Sequence, residues 1–312
     1  MFLLQQPQVA DLQPFTRLPD RFRERQHSDW SRANRGGQPT DSFLEGPVVD
    51  DHGNLYVTDI PFGRIFRIDT AGESIEWTLI AEYDGEPNGM KLMDARTLLI
   101  TDYKNGLMRL DIASGQVEPW LARRNSERFK GPNDLVFDAQ GNLYFTDQGQ
   151  TGLHDPTGRL YRLRPSGQLD LLLDNVPSPN GVALSPDEKV LYLAVTRGNC
   201  VWRVPLLEDG SVAKVSQFFT SYGASGPDGL AVDRNGRLLV ANPGLGYVWV
   251  LNTRAEPELV LRGAPGASIT NLAFGGPERH TLYVTDSTHG AVLRAETGVP
   301  GLALHRACPP KS

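Results

Sequence analysis

Cysteine is nearly missing. Cys200 and Cys308 are the only two in 312 residues. One stands at a predicted strand start and the other in the tail, so a disulfide framework and a zinc knuckle are both excluded. A basic stripe is missing too. The nearest approach, Arg21, Arg23, Arg25, Arg32 and Arg35, is interrupted by Glu24 and Asp29, and the net charge is −6. Nucleic acid, which selects clustered positive charge, is therefore not an expected partner. The arginine-rich segment reads as a solvated, charge-pairing surface. No apolar run approaches the roughly 20 residues of a membrane span. Met1-Phe2-Leu3-Leu4 runs at once into Gln5-Gln6-Pro7, without a hydrophobic signal core. The expectation is a soluble, cytoplasmic protein, monomeric or weakly self-associating, with secretion of a trimmed form left open.

What the chain does contain is glycine, proline and a repeat. The 32 Gly and 23 Pro suit many short strands joined by tight turns. Ser42-Phe43-Leu44-Glu45-Gly46-Pro47, leading into Gly53-Asn54-Leu55-Tyr56-Val57-Thr58-Asp59, sets a polar residue, an apolar strand, a turn and a second apolar strand in series. Glu45-Gly46 is answered by Asn88-Gly89, Asn133-Asp134, Asn180-Gly181, Asp228-Gly229 and Asn271-Leu272, at steps of 43, 45, 47, 48 and 43. A strand-built period in the forties marks propeller blades. The fold class expected is all-β: a six-bladed β-propeller with four-stranded antiparallel blades around a central metal-binding channel. Residues 41–306 form the propeller, 1–40 an N-terminal wrapping or closure segment, and 307–312 a tail. A strand near residues 9–15 is placed to close the ring on the last blade.

In blade 1 the inner strand is expected at 46–49, the second at 55–58, the third at 65–68 and the fourth at 74–80. Later blades repeat the second and third strands at 98–101 with 107–110, 143–146 with 160–163, 191–194 with 201–204, 238–241 with 248–251, and 282–285 with 292–294. The ring residue is expected just before the inner strand, so the loop after the second strand returns to its end of the channel and forms a pocket rim. That loop spans 4 positions in five blades, as from Asp59 to Gly63, but 11 in blade 3, from Asp147 to Gly158. The excess, from Gln148 to Pro156, is a candidate lid or specificity loop. Tyr103, Lys104, Phe62, Arg197, Asn242 and Ser287 complete the expected rim. Asp147 and Asp286, ending second strands, read as turn caps.

The ring holds Glu45, Asn88, Asn133, Asn180, Asp228 and Asn271: two carboxylates and four amides, with no His or Cys. Asn, Asp and Gly favour turns, and turn chemistry alone accounts for any single position. Six phased positions with two acids are harder to explain that way. Oxygen donors suit a hard divalent cation, calcium first, with magnesium, manganese, zinc or iron as alternatives. Two buried carboxylates facing one another are costly, and a cation removes that cost. Of the six histidines, His154 and His289 fall on rim loops and are candidates for substrate contact or proton transfer. His52, His280, His27 and His305 fall elsewhere.

These motifs resemble the gluconolactonase/senescence-marker-protein/luciferin-regenerating-enzyme family. The resemblance is carried by Ser42 to Pro47, Gly131-Pro132-Asn133-Asp134, Pro179-Asn180-Gly181 with Ser185-Pro186-Asp187, Pro227-Asp228-Gly229, and Thr270-Asn271 with Phe274-Gly275-Gly276. It covers roughly residues 42–295. It implies a six-bladed propeller with one divalent metal in the channel and metal-dependent hydrolysis of sugar-type lactones. Glu45, Asn133, Asn180 and Asp228 match the family's metal ligands, and Asp228 its general base. Asn88 and Asn271 match channel positions. Animal members carry an arginine where this chain has Gly131, beside Lys130. The expected substrate contacts are Asn88, Asn133, Lys130, His154, Tyr103, Asn271 and His289. An organophosphate or aryl-ester hydrolase with the same metal site, and a non-enzymatic metal-binding propeller, stay open.

Overall fold

A computed structural model describes residues 5–72 and 74–307 of the chain. Cys308 and most of the expected tail lie outside the described residues. Six antiparallel sheets follow one another in a ring. Blade 1 is built from Leu44–Val49, Asn54–Asp59, Arg64–Asp69 and Trp77–Glu82, inner strand first. The same order holds in each later blade. The strands are apolar on both faces because each sheet is covered by the next. Leu44, Leu55, Ile65, Leu98, Leu191 and Val284 all have no exposed surface.

Two sequence expectations need adjusting. The fourth strand of blade 1 starts at Trp77 rather than at 74, because the Trp77 indole is buried and donates through Nε1 to Thr16 Oγ1 at 2.9 Å. The closure segment divides at buried Leu12. Gln13–Arg17 is the outer strand of blade 6, antiparallel to Ala291–Glu296, so the ring does close there. Gln8–Asp11 adds a fifth, parallel strand to blade 5. The first strand and the helix that follows are thus fastened to different parts of the ring.

The ring residues lie mostly inside their inner strands, not before them. Glu45, Asn88, Asn133, Asn180 and Asn271 are strand residues, and Asp228 alone precedes its strand, Leu230–Val232. The pairing register slips at each of the five, for instance between Glu45 and Val48 and between Pro179 and Val182. A bulge of this kind re-aims one side chain out of the pleat.

Hydroxyls on the neighbouring blade hold these bulges. Thr58 Oγ1 donates to Asn88 O at 2.9 Å, Thr146 Oγ1 to Asn180 O at 2.9 Å and Thr196 Oγ1 to Pro227 O at 2.7 Å. Thr101 makes the same bond to Asn133 O. Thr270 and Ser287 both donate to Leu44 O, at 3.0 and 2.7 Å, linking blade 6 back to blade 1. The blades approach so closely that a Cβ on Gly46, whose φ is +53°, would meet Asn88 O at 2.0 Å, and one on Gly181 would meet Asp228 O at 2.3 Å. Glycine after the ring residue is required by that contact, not by a turn. Replacing Thr146 by valine should leave Asn180 O and Asp134 N, both bonded to this hydroxyl, without partners. The expected cost is about 1–3 kcal/mol for each buried group left unpaired. Urea unfolding should show a lower midpoint at unchanged m, and a midpoint equal to that of the parent would show that the hydroxyl carries no weight.

Candidate active site

The bulges bring five ring side chains to the floor of one cavity at the channel mouth. Glu45, Asn88, Asn133, Asn180 and Asp228 line it, and its volume is about 350 Å³. Each is held by its neighbours. Glu45 Oε2 accepts from Gly46 N and from Asn271 Nδ2, both at 2.8 Å. Asn133 Nδ2 donates to Gln148 Oε1 at 3.0 Å, and Gln148 Nε2 to Ser178 Oγ at 3.0 Å. Asn180 hydrogen-bonds to Asp228. Asn271 has both ends committed, since its Oδ1 accepts from Leu272 N at 2.8 Å. It therefore holds Glu45 in place and does not line the cavity, contrary to the substrate contact expected of it.

The floor carries more negative charge than it can neutralise. Beneath it Asp134 is buried, its Oδ1 3.7 Å from Lys91 Nζ. Burial above all, with the charge of Asp134 adding to it, brings the Glu45 carboxyl from an ordinary 4.5 to about 7 against the lowering hydrogen bonds from Gly46 N and Asn271. Asp228 is pushed well above the carboxylate range, first by burial and then by the charges of Glu45 and Asp134. No three His, Cys, Asp or Glu side chains share a metal-sized space among the described residues, so an ion here would draw on the amides as well. The donors are all oxygen, they include two mutually repelling carboxylates, and Asn133 Oδ1 has no protein partner among the described residues. This set fits a hard divalent cation.

Strands position the floor, whereas irregular segments form the wall. The helix α1, Asp29–Asn34, starts with a capping box in which Ser28 and Ser31 bond reciprocally, at 3.0 and 3.1 Å. Its Trp30 is buried with its ring 4.6 Å from that of Phe43, and Trp30, Asn34, Arg35 and Phe43 all line the cavity. Gln148 of the blade 3 extension and Arg197 of blade 4 line it elsewhere. Gln150 Nε2 joins α1 to the rim, contacting Asn34 Oδ1 at 3.4 Å and the Tyr103 hydroxyl at 3.0 Å.

The N-terminal part of this wall was not read from the sequence, because a Trp and an Arg in an irregular, charge-rich segment look like surface. In the arginine segment Arg21, Arg25, Arg32 and Arg35 are exposed, as expected, whereas Arg23 is nearly buried, bonding Asp41 and the His289 carbonyl.

Other expected contacts lie outside the cavity wall. Lys130 Nζ bonds Thr157 Oγ1 at 2.6 Å. Tyr103 reaches the site only through Gln150. His154 is exposed on the extension. His289 Nδ1 pairs with Asp286 Oδ2 at 2.6 Å on the outer rim. Lys104 pairs with Asp84, and Phe62 lies under the Arg64 guanidinium at 4.5 Å. Asn242 and Ser287 are buried, not part of the rim: Asn242 bonds Ser221, and Ser287 the Leu44 carbonyl. Asp147 and Asp286 are caps, accepting from Gly131 N at 2.8 Å and Ser268 N at 3.0 Å. Asp59 and Asp102 do the same for Phe43 N and Glu86 N.

Residues 43–288 match the model of the SMP-30/gluconolactonase/LRE-like region. The chain belongs to this family. It is 29% identical over 284 residues to the gluconolactonase of Zymomonas mobilis, covering 82% of this chain and 79% of that protein. It is 32% identical over 226 residues to lactonase drp35 of Staphylococcus haemolyticus, covering 69% and 67%. Among solved structures, a calcium-binding protein, regucalcin, from Agrobacterium tumefaciens superposes with a TM-score of 0.76 at 21% identity, over 97% of this chain and all of that one. That likeness concerns the fold: this family member is a six-bladed propeller with four-stranded blades. No helix among its described residues is long and apolar enough to cross a membrane.

The raised carboxyl of Glu45 makes the sign of a pH effect definite. Between about 4.5 and about 7 the folded chain keeps a proton that the unfolded chain has lost. The contribution of Glu45 to stability without metal should therefore be full below that window and be lost as pH climbs through it, adding to the falls from Asp228 and Glu86, which are raised as well. Thermal unfolding in chelator across this range should show the fall, Glu45→Gln should make it shallower, and saturating calcium should raise the transition most at the upper end. A slope indifferent to Glu45→Gln would contradict the assignment of the buried charge.

Proposed function

We propose that this chain is a lactonase that uses a divalent cation, calcium as first choice, to open a small, sugar-type lactone to its hydroxy acid. The observation that carries the reading is the convergence of Glu45, Asn133, Asn180 and Asp228 on one cavity floor, in a chain related to proteins named gluconolactonase and lactonase. Those four side chains would hold the cation, which when bound supplies positive charge at the lactone carbonyl and at the oxyanion formed on attack. Asp228 takes a proton from the attacking water. As the ring C–O bond breaks, that proton passes to the departing ring oxygen, giving an alcohol and a carboxylic acid, and the acid then releases water's second proton to solvent as a carboxylate. Burial and the charges of Glu45 and Asp134 raise this carboxyl, and the cation would offset that rise, leaving it ionised and able to take the proton. Asn88 and Asn133 carry amides that orient the substrate and do not titrate. Asn271 fixes the Glu45 carboxylate through its Oε2.

Chelation should abolish opening of glucono-δ-lactone, and added calcium should restore it. Asp228→Asn should lower kcat by about 100-fold or more, within the span of general-base catalysis, while leaving the protein folded. Full turnover in chelator would end this reading. Hydrolysis of a phosphotriester or aryl ester, with no lactone opened, would move it to the esterase alternative, and an ion held without any turnover to the binding alternative.

A further inference from the structure

Arginines around the channel mouth generally find carboxylates. Arg23 bonds Asp41, Arg32 pairs with Asp29 and Arg64 with Asp59. Two do not. Arg35 and Arg197 line the cavity, and among the described residues neither has a carboxylate partner or a side-chain hydrogen bond. The charge of Arg197 is felt at Asp228, but no ion pair joins them, and among the described residues only Asp134 of the floor acids has a cation beside it, Lys91.

Arg35 is held in place without a counter-charge. Its guanidinium lies 5.8 Å from the Trp30 ring centroid and 5.2 Å from that of Phe43. Aromatic faces hold the plane of a guanidinium and leave its N–H edge free for a bidentate acceptor. The helix carrying this pair is tied to the rim through Asn34 and Gln150. Arg197 is placed by blade 4, and a side chain on Gly152 of the blade 3 extension would touch its Cγ at 3.6 Å. Lactone hydrolysis creates one carboxylate, at the floor. Two further cations on the wall have no role with a neutral substrate.

We propose that the natural substrate is an anionic lactone, one carrying a carboxylate or a phosphate away from the ester, and that Arg35 and Arg197 bind that second anion. The inference rests on the lactonase reading of the same cavity and narrows it. Guanidinium forks match carboxylate and phosphate equally well, so both belong to one proposal. A cavity of about 350 Å³ is within the range of small-molecule sites, about 300–1,000 Å³.

The test compares glucaro-1,4-lactone, with a carboxylate, and 6-phosphoglucono-δ-lactone, with a phosphate, against neutral glucono-δ-lactone. The readout is the ratio of kcat/KM, anionic over neutral, for the parent, Arg35→Gln, Arg35→Lys and Arg197→Gln. The parent ratio should be roughly tenfold or more for at least one anion, and each glutamine variant should lower it about tenfold, chiefly through KM. Arg35→Lys should recover part of the loss, since it keeps the charge without the fork. Whichever arm shows the preference identifies the anion. A parent ratio near one, or a ratio that neither glutamine variant moves, overturns the proposal. If no lactone is opened, the lactonase reading fails on its own, and calorimetric binding decides this one. Tighter binding of glucarate than gluconate, lost in both glutamine variants, upholds the anion site, and equal binding removes it.

Discussion

One hydroxyl-to-carbonyl contact, repeated from blade to blade, sets the geometry of the channel. Five of the six ring residues sit at a bulge, and there a backbone carbonyl, of the ring residue itself or of the one before it, has left the ladder of its own sheet. A buried carbonyl without a partner is costly, and the partner comes from a neighbouring blade: Thr58 for Asn88, Thr101 for Asn133, Thr146 for Asn180, and Thr270 with Ser287 for Leu44. The side chain that lines the channel in one blade is thus positioned by a residue in another. Neighbouring blades fold onto each other by satisfying these groups, and the floor assembles as a consequence.

The same closeness explains the charge at the floor. Blades that touch at Gly46 and Gly181 bring Glu45, Asp134 and Asp228 near enough for their charges to be felt by one another. Lys91 offsets one carboxylate at 3.7 Å. Glu45 is stabilised by N–H donors, two of them on its Oε2, and Asp228 by Asn180 and the more distant charge of Arg197. Hydrophobic burial of the blades can carry such a local cost, as functional sites commonly require. Protein groups placed where they repel are what would draw a cation into a site of this kind.

Periodicity made the six blades and their ring legible, because a repeat places equivalent residues at equivalent positions whatever the detail of their contacts. It also located the long rim loop from Asp147 to Gly158. Turn chemistry was the wrong reason only for glycines that follow a ring residue, such as Gly46 and Gly181, which serve close approach between blades. Periodicity also could not distinguish Asn271, spent on Glu45 and Leu272, from Asn133, whose oxygen is left over: both are asparagines in the same phase, and only the neighbours differ. The threonines were visible in Thr58-Asp59, Thr101-Asp102, Thr146-Asp147 and Thr285-Asp286. That recurring pair, hydroxyl then carboxylate at the end of the second strand, was the available signal for both the blade link and the loop cap.

The N-terminal segment escaped because it has no repeat to be read against, and it is where this propeller departs from its own symmetry. Gln8–Asp11 is fixed on blade 5, Gln13–Arg17 closes blade 6, and α1 then crosses to the mouth with Trp30 and Arg35. One stretch of chain therefore both closes the ring and forms a cavity wall. Pairing at Gln13–Arg17, and the bond of Arg23 to Asp41, anchor the chain upstream of α1, so part of the entropy of placing the wall is met by closing the ring of blades. A wall anchored in that way differs from a free lid. Its aromatic and cationic groups are set before substrate arrives, and selection at this mouth depends on how well a substrate matches fixed groups, not on the closing of a loop.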